Sequence, residues 1–209
     1  MNHNTKIPVT VPGIALTTTE IILISKTINI EPATLKAVQI VETGGRGGFV
    51  APQKPTILFE GHIFWKMLIQ QGINPHTHIK GNENILYPKW DRTKYIGGIR
   101  EYERLQQACR IHKEAAYNSA SWGMFQIMGF NHLKCGIAGI QEFVTLMSES
   151  EYSQLKLTAT YLKNSNLLPH LRNHDWNRFA LAYNGAGYVQ NHYAEKLKEA
   201  YRKATETFK

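Results

Sequence analysis

The chain of 209 residues has only two cysteines and lacks any long apolar run. Stretches such as Ile21–Ile24 fall far short of the roughly 20 residues needed to cross a bilayer, which excludes a membrane-spanning helix. Cys109 and Cys135 cannot build a disulfide-rich framework or a CxxC metal site, and both lie among apolar neighbours, as buried thiols do. The nine histidines never fall at HExxH spacing, and His76 and His78 stand in a loop without a matching cluster. Neither a metal nor any other cofactor is therefore expected. Acidic residues are scarce as well, 16 against 24 Lys and Arg, which leaves a net charge of +8. That balance favours an anionic partner such as an acidic cell-wall polymer. Because the basic residues are dispersed and no zinc-finger, RNP or basic-arm pattern is present, nucleic acid is not the expected partner. The N-terminus carries Pro8 and Pro12 without a continuous apolar core, so no signal peptide is read there. Action outside the cytoplasm would then depend on other machinery.

What is present suits one mainly α domain (α+β) over residues 17–209, preceded by an extension, residues 1–16. Thr17, three residues before Glu20, forms a capping box that opens a short helix. Pro32 suits the first position of the next helix, which runs to a stop at Gly44. Residues 44–58 hold four glycines and two prolines and cannot be helical. Phe49–Val50 and Thr56–Phe59 are the expected short strands there, the only β region the pattern supports. A helix over GHIFWKMLIQQG follows, then a long polar connection, and from Ile99 onward the period is helical almost throughout.

The chemistry begins at VETGG, residues 41–45. On a helix over residues 32–43, Leu35, Val38 and Glu42 share one edge, with Ala37, Ile40 and Val41 continuing the apolar arc. Glu42 thus combines apolar neighbours with the negative end of the helix dipole, and both push its pKa up. A carboxylic acid that stays protonated near neutral pH is what a glycosidic oxygen needs in order to leave. The plain alternative is a surface carboxylate paired with Arg46. Further on, SASWGMFQIMG (residues 119–129) places a polar Gln126 among Met and Ile, and AYNG (residues 182–185) ends a helix on a Tyr-Asn pair suited to sugar hydroxyls and acetamides.

Taken in order, Glu-x-Gly-Gly, SxSWGxxQIM and AYNG resemble the lysozyme-like superfamily of goose-type lysozymes and soluble lytic transglycosylases. The wider set VETGGRGGF, ILFEGHIFW, SASWGMFQIMGFN and FALAYNG resembles the N-acetylmuramidase family of phage endolysins and bacterial cell-wall effectors. The resemblance runs from about residue 20 to the C-terminus. It implies a lysozyme-like fold with a small β insertion after the helix of the acid, and cleavage of the peptidoglycan bond between N-acetylmuramic acid and N-acetylglucosamine. It also implies Glu42 as general acid and cleft roles for Ser121, Gln126, Tyr183 and Asn184. Many members of the family carry a separate wall-binding module, for which this chain has no room, so the cleft and the net charge would have to supply affinity for the wall. Were the chain an effector, an immunity protein would be a further partner.

A second carboxylate is needed opposite the acid for hydrolysis. Glu60 is the first candidate, since it follows the β region that forms the far cleft wall in lysozyme-like folds, and His62 would orient it. Asp91 is a weaker candidate, and Asp175 better suits a helix N-cap. With no second carboxylate in reach, the same acid would serve a lytic transglycosylase, which leaves anhydro ends. Phe49, Trp122 and Tyr183 are the aromatic candidates for sugar contact.

Overall fold

The computed structural model describes residues 15–44, 47–185, 189 and 191–208. The first helix, α1 (Thr18–Thr27), starts as its capping box requires: the Thr17 hydroxyl accepts from the Glu20 amide, and the Glu20 carboxylate accepts from the Thr17 amide. Helix α2 (Pro32–Thr43) begins on Pro32 and stops at Gly44, whose φ of 56° is the left-handed conformation that glycine adopts without strain. Strands β1 (Phe49–Ala51) and β2 (Lys54–Pro55) form a small antiparallel pair. Strand β3 (Ile57–Phe59) then leads directly into helix α3 (Gly61–Gln70).

The long connection after α3 holds three short 3₁₀ turns and ends at helix α4 (Glu101–Asn118). Helix α4 is broken at His112, where φ is −158° and ψ is 106°. The His112 ring repairs the break, because its Nδ1 accepts from the Ala115 amide at 3.1 Å and so caps the second segment. Strands β4 (Ala120–Trp122) and β5 (Ile127–Met128) follow at once, then helices α5 (Ile140–Met147), α6 (Glu151–Asn164), α7 (Leu168–Arg172), α8 (Trp176–Asn184) and α9 (Tyr193–Thr207). The described residues include no helix long and apolar enough to cross a membrane.

The expectation that β structure ends at residue 59 is corrected here. Strands β3, β4 and β5 make a three-stranded antiparallel sheet in that order, so the SxSWGxxQIM segment is a hairpin and not a bare turn. Ile57 pairs with Trp122, Leu58 with Ser121 and Phe59 with Ala120. Directly opposed residues point to the same side. One side therefore carries Ile57, Phe59, Ala120, Trp122 and Ile127, all buried in the core. The other carries Leu58, Ser121 and Met128, and so holds the candidate residue Ser121.

Helix α9 lies against α2 in the most extensive helix pairing of the fold. Its apolar stripe, Tyr193, Ala194, Leu197, Ala200 and Ala204, recurs at helical spacing and is buried. A tyrosine on α9 binds a glutamate near each end of α2: Tyr193 donates to Glu42, and Tyr201 donates to Glu31 at 2.7 Å. The C-terminal helix thus braces the helix that carries Glu42.

Candidate active site

Glu42 sits in the last turn of α2, partly buried. Burial raises its pKa to about 7, against the opposing effect of the Tyr193 hydroxyl, which donates to Oε1 and favours the charged form. The Asn184 side chain stands close to the Tyr193 phenol, and burial beside Glu42 holds that phenol far above its ordinary range. Tyr183, the residue before Asn184, stacks on Phe179 with ring centroids 5.3 Å apart and donates to the Phe125 carbonyl at 3.2 Å. Burial first, and the Glu42 charge second, raise the Tyr183 pKa as well. Glu42, Tyr193, Asn184 and Tyr183 therefore form one group, drawn from the ends of α2, α8 and α9.

Two side chains of α6 hold the backbone on either side of this group. Glu151 accepts from the amides of Leu16 and Gly48 at 2.7 and 2.6 Å. Gln154, with no exposed surface, donates to the carbonyls of Gly48 and Met147 and accepts from the Met124 amide at 2.8 Å. Its amide fills the space where side chains at two glycines would lie. A Cβ on Gly48 would stand 2.2 Å from Gln154 Oε1, and one on Gly123 2.8 Å from it. One buried glutamine thus fixes both the segment after Glu42 and the turn before Gln126, with its own donors and acceptor satisfied.

The Gly123 turn sets Gln126 in the left-handed region at φ 48°. Gln126 accepts from the Ser121 hydroxyl at 2.8 Å and donates to the carbonyls of Gly123 and Thr56 at 2.8 and 3.2 Å. Its amide nitrogen is therefore engaged in shaping the hairpin, and Ser121 is buried beneath it. Glu60 continues the alternation of β3 past Leu58, onto the side of the sheet that carries Ser121. Its amide donates to the Ser119 carbonyl at 2.9 Å, which keeps the chain extended through this position. Oε2 accepts from the Tyr95 hydroxyl at 2.5 Å and lies 3.3 Å from His62 Nδ1, so the expected proximity of His62 is present. The His62 ring is not aligned for a hydrogen bond at that nitrogen, and burial lowers its pKa despite the attraction of Glu60.

The sequence candidates thus divide into two neighbourhoods. Glu42, Tyr183 and Asn184 are brought together, and Ser121, Gln126 and Glu60 share the side of the sheet that faces away from the core residues Phe59 and Trp122. Tyr183 links the two through the Phe125 carbonyl, one residue before Gln126. Among the described residues no hydrogen bond or ion pair joins Glu60 to Glu42. Arg46, the alternative partner for Glu42, lies outside the described residues. Asp91 caps a 3₁₀ turn by accepting from the Thr93 amide at 2.9 Å, and Asp175 caps α8 as expected. Trp122 is only 1% exposed on the core side of the sheet and cannot meet a sugar ring. A cavity of about 350 Å³ beside it, lined by Tyr102, Cys109 and Lys113, opens behind the sheet and away from Glu42.

Sequence reasoning missed Tyr193. Its signal was a hydroxyl-bearing residue at the head of the apolar stripe of α9, where a plain hydrophobe would serve packing equally well.

Comparison with known proteins adds an independent line. A family model described as N-acetylmuramidase matches residues 31–205. The crystal structure of the Burkholderia AP3 phage endolysin is similar at 30% sequence identity with a TM-score of 0.84, over 98% of this chain and 75% of that one. No curated protein matches.

Proposed function

The chain belongs to the N-acetylmuramidase family, and we propose that Glu42 is the acid with which it cleaves the glycan of peptidoglycan. It is a glycoside hydrolase of the cell wall with a lysozyme-like fold. The observation that carries Glu42 is its carboxyl, shielded from water in the last turn of α2 and met by the Tyr193 hydroxyl, a burial that pushes its pKa up to about 7. Such a group is still largely protonated where an ordinary glutamate has ionised, and can hand its proton to the departing sugar oxygen. Asn184 and Tyr183 stand beside it, suited to a sugar's hydroxyl and acetamide groups. The similarity to a phage endolysin supports an endolysin over an antibacterial effector, with the sacculus as its partner.

Tyr193 holds Glu42 in place and tempers its basicity. A hydroxyl that donates to the carboxylate stabilises the charged form, so its removal raises the Glu42 pKa further. For Tyr193→Phe the alkaline limb of the kcat profile should move upward, by up to about one pH unit. A limb that stays in place or moves down contradicts this account of the contact.

Glu60 is the proposed second carboxylate, because it shares a side of the sheet with Ser121 and has its orientation fixed by Tyr95. The test is digestion of purified peptidoglycan, with the released fragments weighed by mass spectrometry. Reducing ends are expected from the wild type, and anhydro ends would make the reaction that of a lytic transglycosylase. Glu60→Gln can still accept from Tyr95, so its fold should survive while kcat falls by about 10² or more. An unchanged kcat with reducing products removes Glu60 from the chemistry.

A further inference from the structure

The cavity behind the sheet takes no part in the chemistry at Glu42. It measures about 350 Å³, within the range of roughly 300–1,000 Å³ in which proteins hold small ligands. Tyr102, Leu105, Gln106, Cys109 and Arg110 line it at the spacing of one helical face, so α4 turns a whole stripe toward it. Val144 and Ser148 bring α5 to its wall, and Trp122 brings β4. Two of its aromatic walls are fixed at their polar ends. The Tyr102 hydroxyl donates to the Pro55 carbonyl at 2.8 Å, and the Trp122 indole N–H donates to the Tyr117 carbonyl at 3.0 Å. Tyr117 meets Trp122 edge to face with ring centroids 5.7 Å apart. With their polar atoms engaged elsewhere, Tyr102 and Trp122 give the cavity apolar surface.

The charge around this recess is of one sign. Arg110 and Lys113, both exposed, are the charged residues among those that line it, and no carboxylate joins them. Lys113 Nζ lies 5.6 Å from the Tyr117 ring centroid and Lys54 Nζ 5.5 Å from that of Tyr102, so an ammonium group stands over each of these two rings. Burial pushes the Cys109 thiol up to about 11 in spite of Lys113, and the thiol therefore adds no negative charge at neutral pH. An apolar recess edged by cations alone complements a short apolar group that ends in a carboxylate.

We propose that this cavity binds the C-terminal D-alanyl carboxylate of a peptidoglycan stem peptide, as a wall-binding site separate from the cleft. The proposal rests on the reading that the sacculus is the substrate. The methyl side chains of the peptide end would lie in the recess, and its carboxylate would meet Arg110 and Lys113. A cavity of this volume suits a chain end and not a folded partner. Because it opens away from Glu42, the peptide it takes hangs from a stretch of wall other than the bond being cut. One domain would then touch the sacculus at two points, and the second contact would raise the effective concentration of glycan at the first.

N-acetyl-D-alanyl-D-alanine and its C-terminal amide serve as probes, each titrated into the isotope-labelled wild type and followed by NMR chemical shifts. The carboxylate form should shift resonances of α4 and α5 with a Kd of about 1 mM, and the amide should bind at least about tenfold more weakly. Val144→Trp fills the recess, keeps every charge and should abolish the shifts. Arg110→Gln/Lys113→Gln, at two exposed positions, should raise KM on sacculi about three- to tenfold with kcat within about twofold. On glycan strands stripped of their peptides the same variant should match the wild type. Lys196→Gln/Lys198→Gln removes as much charge from the exposed side of α9 and should leave KM on sacculi unchanged. The site is overturned if neither probe shifts α4 and α5, if the amide binds as well as the acid, or if KM rises equally on stripped glycan or in the α9 control. Shifts of α4 and α5 produced only by anionic phospholipid vesicles also overturn it, in favour of a membrane contact. A wild type that leaves stripped glycan uncut counts against the cleavage reading instead, and the peptide titration is judged apart from it.

Discussion

Glu42→Gln is expected to lose at least about 10³-fold in kcat on peptidoglycan and yet to be more stable than the wild type above neutral pH. The two effects have one cause. Between the ordinary carboxyl value of 4.5 and the folded value of about 7, the folded protein keeps a proton that the unfolded chain has released. Stability therefore falls as pH rises through that window. The full loss above pH 7 is of the order of 3.5 kcal/mol, since each pH unit between the two values costs about 1.4 kcal/mol. Glutamine has nearly the same shape, accepts the Tyr193 hydrogen bond and never ionises, so it removes the penalty. At pH 8 the variant should melt roughly 7–14 °C above the wild type, with most of the gap gone by pH 5. Thermal melts across pH, beside single-turnover rates, test both halves. An equal melting temperature at pH 8, or retained cleavage, would place the carboxyl outside the chemistry.

That trade-off could be anticipated from local sequence, because everything it needs lies within a dozen residues. Periodicity puts Glu42 on the edge of Leu35 and Val38, and Gly44 ends the helix, so position and dipole follow directly. The partner could not be read in the same way, since Tyr193 meets Glu42 across 151 positions and only the docking of α9 on α2 brings them together. The hairpin of β4 and β5 failed for a related reason. Strands of three and two residues carry almost no alternation of their own, and β4 exists because β3, some sixty residues earlier, pairs with it. Gln154 shows the same limit. It sits inside an ordinary amphipathic helix, and its importance comes from the two glycines it excludes from bearing side chains. The EYERLQQ run at the start of α4 shows only its helical period in the sequence, yet two of its charges are among the most buried groups in the described structure.

Those two charges give the second large prediction, in which Arg104→Met costs about 3–5 kcal/mol and lowers the melting temperature by roughly 10 °C or more. Arg104 is 1% exposed and every part of its guanidinium is engaged. It donates to Glu101 at 2.7 Å, to the Phe59 carbonyl at 2.8 Å, to the Asn84 carbonyl through two nitrogens, and to the Tyr87 hydroxyl at 3.2 Å. Glu101 accepts in its turn from the amides of Phe59, Ile96 and Gly97. Removing the arginine leaves that carboxylate buried without its counter-charge, which is the expensive way to break a buried pair. An isolated pair can often be replaced by two hydrophobes at no loss. Here the Glu101→Leu/Arg104→Met double variant should remain destabilised, because three backbone amides would lose their acceptor at about 1–3 kcal/mol each. The same contacts bind β3 and the connection through Asn84 and Ile96 into one unit just before Glu60 and around Tyr95. Arg104→Lys keeps the charge but cannot reproduce the planar fork, so it should fall between the wild type and Arg104→Met. Below its melting temperature, Arg104→Met should also lose kcat, since the strand that aims Glu60 is no longer held. Denaturant melts of the single and double variants decide the matter. A loss under about 1 kcal/mol for Arg104→Met, or full recovery in the double variant, would show that the pair is dispensable and that Glu60 is positioned by Tyr95 alone.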